Sequence, residues 1–115
     1  MAGLVVTAEA LACIRECIER EEIQRPMVAL CWSQGAADLT RGAKGEAIWE
    51  HEQPRWMVTV MDLAELEEAG APWVGPTVTL HGYAFAFIAR PGSPQLEGCM
   101  LACEGGELVV YESAT

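Results

Sequence analysis

Five cysteines (Cys13, Cys17, Cys31, Cys99 and Cys103) and two histidines (His51 and His81) are the side chains of this chain most able to do chemistry. Thiolates are soft ligands for zinc or iron–sulfur clusters, but such a site needs three or four donors converging on one point. Cys99 and Cys103 are the candidate metal ligands. They fall in one expected strand, four positions apart, so both point to the same face. On a regular strand their Cα atoms stand roughly 13 Å apart, and one metal spans them only if the strand bends. Cys13 and Cys17 lie one helical turn apart and could share a soft metal. A Cys/Cys/His zinc site using His51 or His81 lacks finger-like spacing. Burial as small apolar side chains is the simpler reading for these thiols, and no resident cofactor is expected.

His81, next to Gly82, could act as a base in a cleft of a small-molecule-binding protein or enzyme. No Ser or Cys nucleophile with a third, orienting group accompanies it, so no catalytic residue is assigned. The acid pairs Glu21-Glu22 and Glu67-Glu68 sit on expected helices. Neighbours there diverge by about 100°, which suits a solvated face and not a dyad. Gly35, Gly42 and Gly45 lack the Lys-Ser/Thr ending of a phosphate loop, so Gly42-Ala43-Lys44 reads as a turn.

The charge narrows the partners. Seventeen acidic residues face seven basic ones, a net charge of −10 in 115 residues. Nucleic-acid binding needs concentrated Lys and Arg and is not expected. No secretory segment is expected at Met1–Val6, and no apolar run approaches the roughly 18 residues of a membrane span. A reducing cytoplasm with free thiols is the expected setting. Four tryptophans (Trp32, Trp49, Trp56 and Trp73) divide between core and contact roles. Trp49 and Trp56 flank a proline-containing turn where an exposed aromatic patch could form.

The elements that must position these residues follow from hydrophobic period. Leu4-Val5-Val6 reads as a short strand. Thr7 caps a helix over 8–22, with Leu11, Ile14 and Ile18 on one stripe. Met27–Trp32 is a buried strand, and 33–45 is a loop or weakly ordered hairpin. Strands follow at 47–49 and 56–61. A short helix over 62–70 opens with Asp62 as cap and Glu65 in a capping box. Strands at 77–81 and 84–88 follow; in the second, Phe85 and Phe87 alternate with alanines until Pro91. A hairpin pairs 96–103 with 107–111 around Glu104-Gly105-Gly106. One domain over 1–115 is expected, α+β and mainly β.

Val5, Val6, Thr7 and Ala10, the strand Val28–Trp32, the glycine-bearing stretch 33–45 and the passage Met57–Leu66 occur in a telling order. With Gly82, Phe85, Phe87 and Pro91, the chain resembles the HesB-like family of A-type iron–sulfur carriers. The resemblance covers about residues 4–91. It implies a twisted, partly closed sheet carrying one long N-terminal helix and one short helix. The family's ligand cysteines are not matched. Ser33-Gln34-Gly35-Ala36-Ala37 stands where its first ligand loop would fall, with no cysteine, and no Cys-Gly-Cys pair follows Pro91. The resemblance therefore implies a member that has lost cluster binding, with an iron–sulfur or metal carrier using Cys99 and Cys103 as the alternative. The function expected is a non-enzymatic protein-interaction module, a homodimer or a protein bound to a partner. Its tryptophans would serve as anchors and the terminal strand Leu108–Tyr111 as an open edge.

Overall fold

A two-residue strand, β1 (Val5–Val6), leads into helix α1 (Ala8–Arg20) in the computed structural model, which describes residues 3–35, 37–51, 53–89 and 92–112. Thr7 starts the helix because its hydroxyl accepts a hydrogen bond from the Ala10 amide at 3.1 Å, meeting one otherwise unpaired donor of the first turn. The helix stops short of the expected Glu22. Glu21 is the cap, Glu22 takes a left-handed φ of 52°, and the Ile23 amide closes back on the Ile18 carbonyl at 3.0 Å. That is a Schellman closure with Glu where glycine is the usual residue.

Seven further strands and a second helix follow: β2 (Pro26–Ser33), β3 (Ala37–Arg41), β4 (Ala47–His51), β5 (Arg55–Asp62), α2 (Leu63–Glu68), β6 (Val78–Leu80), β7 (Tyr83–Ile88) and β8 (Met100–Glu104). Strand β9 (Glu107–Tyr111) closes the described fold. The strands form three sheets, ordered β5-β2-β7-β6, β1-β8-β9 and β3-β4. The expected HesB-like α+β architecture, one twisted and partly closed sheet with a long N-terminal helix, is overturned by this arrangement. Among the described residues the strands lie in three separate sheets, none of them closed, and α1 has only 13 residues; the weight of β structure is as expected. The physical reason lies in the pairing of β1. It runs parallel to β8, with Val5 opposite Met100, and so organises β8 and β9 into a sheet of their own. The free edges of β5 and β9 approach one another under α1 without sharing a ladder.

Local expectations shift at three places. The stretch expected as one strand over 96–103 begins only at Met100, because Gly98 has a φ of 81° and the Cys99 amide turns back to the Leu96 carbonyl at 2.9 Å. The stretch 33–45 contains β3, paired with β4 in a hairpin with Leu39 opposite Trp49. The strand expected over 77–81 ends at Leu80, because His81 and Gly82 form the turn into β7. Ala36, Glu52, Arg90 and Pro91 lie outside the described residues, so the expected stop at Pro91 does too.

The core sits between the four-stranded sheet on one side and α1 with the β1-β8-β9 sheet on the other. Val28, Leu30, Phe85, Ile14 and Leu101 are fully buried there. Period-two alternation assigns the faces: Phe85 and Phe87 point into this core, while Ala84 and Ala86 point to the opposite face. On that second face Met27, Ala29 and Ala86 form a smaller cluster, and Trp73 packs on it. The small alanines leave room for the indole. Gly75 is required beside it, since a Cβ there would lie 2.5 Å from the Trp73 ring.

Asp62 ties the chain together at the other end. Its carboxylate accepts hydrogen bonds from the amides of Gln24 and Arg25, each at 3.1 Å, and caps α2 through Ala64 at 3.0 Å. Desolvation alone would raise its pKa, but these three backbone donors and the Arg25 charge together hold it below the usual carboxylate value.

Replacing Phe85 with Ala is expected to cost about 3–5 kcal/mol in urea unfolding, since the ring is fully enclosed. Phe87, stacked on it at a centroid distance of 6.5 Å but only half-buried, is expected to cost less when truncated. Equal losses at the two positions would contradict this packing.

Candidate functional site

Three of the five thiols gather at one place, and they are not the pair expected to bind metal. Cys13 and Cys17 project from successive turns of α1 toward the seam where β5 and β9 approach. A groove of about 570 Å³ opens there, lined among others by Cys13, Cys17, Arg20, Arg55, Met57 and Leu108. The Cys13 sulfhydryl donates to the Gly106 carbonyl at 3.5 Å, and Cys103 lies near enough to act on its thiol. Cys103 reaches this point because it lies near the end of β8, opposite Leu108, on the strand face that also carries Leu101. Gly105 and Gly106, both with positive φ, turn the chain into β9 directly beside it.

Cys99 has a different environment. It precedes β8, is fully buried in the main core and donates to the Gln95 carbonyl at 3.5 Å. Cys103 therefore meets Cys13, and Cys99 meets a backbone carbonyl. Among the described residues, no group of three or more His, Cys, Asp or Glu side chains is arranged to hold a metal ion. Cys31 is half-buried on β2, with its sulfhydryl 3.8 Å from the Trp32 carbonyl.

Electrostatics set what the seam thiols can do. Burial, the hydrogen bond and charge of Cys103, and the nearby Cys17 and Glu16 push the Cys13 thiol up to about 11. Burial, then the hydrogen bond to Glu21 at 3.4 Å, raises Cys17 as well, with Arg20 opposing. A thiol acts as a nucleophile only when ionised. Both are therefore protonated at neutral pH, the opposite of an activated catalytic cysteine. A pKa raised from 9.0 to about 11 contributes stability that is complete below pH 9 and lost as pH rises through 11.

His81 sits exposed in the two-residue turn joining β6 to β7, with Leu80 opposite Tyr83. Its φ is 52° and that of Gly82 is 83°, both left-handed as a tight hairpin turn of this kind demands. The Gly82 signal was thus a turn signal. The side chain of His51 lies outside those described.

The tryptophans divide sharply. Trp32 and Trp56 face each other across the β2–β5 ladder, edge to face at 5.4 Å, and both are buried. Trp73 covers the small cluster. Trp49 is 63% exposed, and Leu39, its cross-strand partner, is 56% exposed. They share one face of the β3–β4 hairpin, whose strands pair with no other strand among the described residues. A second exposed row crosses the outer face of the β1-β8-β9 sheet, where Val5, Met100 and Tyr111 stand in register. Strand β9 is an edge strand as expected, but its free side looks onto β5 and the groove.

Alkylation of Cys13 by iodoacetamide is expected to be slow at pH 7 and to climb with a midpoint near pH 11. Peptide-resolved mass spectrometry reads this directly, and a midpoint below 8 would mark an activated thiol instead. No helix among the described residues is long and apolar enough to cross a membrane. No family model, curated protein or solved structure matches the chain.

Proposed function

We propose that the chain is a non-enzymatic protein-interaction module that associates with a second copy of itself through the β3–β4 hairpin. The observation that carries this reading is the solvent-facing Leu39–Trp49 pair on an arm that, among the described residues, joins no other sheet. Tryptophan is enriched among residues that dominate binding energy. The hairpin also suits a like partner electrostatically. Asp38, Glu46 and Glu50 are nearly balanced by Arg41 and Lys44, so most of the net charge of −10 lies elsewhere in the sequence and adds little repulsion between two hairpins. The protonated seam thiols and the turn position of His81 support a non-catalytic role.

The contact is small. Covering Trp49 and Leu39 on two copies removes on the order of 500 Å² from water, far below the roughly 1,600 Å² of a standard stable interface. Association is thus expected to be weak, in the micromolar range or above. Sedimentation equilibrium across the micromolar range is expected to show a concentration-dependent dimer, weakened about tenfold or more by Trp49→Ala or Leu39→Ala with unchanged melting. A strict monomer at high micromolar concentration removes this reading. A dimer that survives both changes but is lost in Met100→Glu would move the contact to the outer sheet face.

The carrier alternative makes a separate claim about chemistry. Anaerobic reconstitution with iron and sulfide is expected to leave no stoichiometric cluster, because Cys99 and Cys103 sit in different surroundings with Leu101 between them on the same face. A stoichiometric cluster lost on mutating Cys99 or Cys103 would restore the carrier reading.

A further inference from the structure

We infer that Cys13 and Cys103 are a modification site: a dithiol that closes reversibly to a disulfide between α1 and β8 by exchange with a small-molecule disulfide. The two residues are ninety positions apart in the chain and are brought together by the packing of α1 on the β1-β8-β9 sheet. The Cys13 sulfhydryl touches the β8–β9 turn through Gly106 at 3.5 Å, and Cys103, two residues before that turn on the β8 face that carries Leu101, lies near enough to act on its thiol. Each thiol is half-buried and neither is sealed. Cys13 also lines the open groove, which gives a small disulfide a route to the pair.

The other thiols do not compete. Cys99 is enclosed and bonded to Gln95, and Cys31 is on β2 beside Trp32. Cys17 is the nearest rival, but its sulfhydryl is directed to the Glu21 carboxylate.

The exchange takes two displacements. Cys103, as a thiolate, attacks one sulfur of the small disulfide. That S–S bond breaks, a mixed disulfide forms, and the departing thiolate takes up the proton that Cys103 lost to water. Cys13, as a thiolate, then attacks the Cys103 sulfur, and the second small thiol leaves and is protonated in turn. Two protein thiols lose two electrons and one small disulfide is reduced to two thiols. Cys13 is held at about 11, so the second displacement is the slow one and quickens as pH rises. Closing so long a loop restricts the unfolded chain and pins α1, fixing one wall of the groove.

The test incubates the full chain with oxidised glutathione at pH 8, quenches with an alkylating agent and maps the bridges by peptide mass spectrometry, beside a thermal melt. One bridge, Cys13 to Cys103, is expected. It should be reversed by dithiothreitol and accompanied by a Tm higher by roughly 8–15 °C. Cys13→Ser and Cys103→Ser should each abolish the bridge and the gain, while Cys17→Ser keeps both. Persistent glutathione adducts without closure, a bridge between other residues, or a bridge that lowers Tm would each overturn the inference. The wild-type map decides the matter by itself if a serine variant fails to fold.

Discussion

Strand β2 carries hydrogen-bond ladders on both edges and packed side chains on both faces. It pairs antiparallel with β5 along its full length and parallel with β7 from Met27 to Cys31. Val28, Leu30 and Trp32 enter the main core, and Met27 and Ala29 enter the smaller one. A strand enclosed on both faces must be apolar at every position, which is why Met27–Trp32 shows no alternation. Its parallel pairing has a further consequence. Parallel neighbours cannot be joined by a tight turn, so the chain between β2 and β7 must be long. The hairpin, β5, α2 and β6 all lie in that connection. The β3–β4 hairpin is thus an excursion from a body already fixed by β2.

The same logic explains the extended shape. The Cα radius of gyration is 16.4 Å, against about 13 Å for a compact chain of this length. A hairpin that pairs only with itself adds span without adding core. It leaves Trp49 facing water while Trp32 and Trp56, on the strands that flank the hairpin in sequence, are enclosed.

Local signals in the sequence were legible, and long-range ones were not. Thr7 and Asp62 mark their helix starts because capping involves residues two or three apart. The alternation of Phe85 and Phe87 with alanines identifies the two faces of β7, since side-chain period is a local property. Glycine signals were ambiguous in kind: Gly82 makes His81 a turn residue, and Gly98 delays β8 past Cys99. The architecture expected from the resemblance fails because it depends on which edges pair, and the parallel match of β1 with β8 spans nearly the whole chain. The seam thiols were hidden for the same reason. Cys13 and Cys17 were visible as one turn of helix, but nothing near them in sequence points to Cys103. Trp49 was singled out by its neighbouring proline turn, whereas the burial of Trp56 depends on its register with Trp32.

Native-state hydrogen exchange, read amide by amide, tests most directly the picture of a body locked by β2 with a separately exposed arm. The amides of Val28–Cys31 are expected to exchange only through global unfolding, tracking the stability measured in denaturant. Those of Leu39–Arg41 and Ile48–Trp49 are expected to exchange orders of magnitude faster, by local opening, at dilutions where the chain is monomeric. Equal protection of hairpin and β2 in the monomer would mean that the arm is packed on the body, and the account would be wrong.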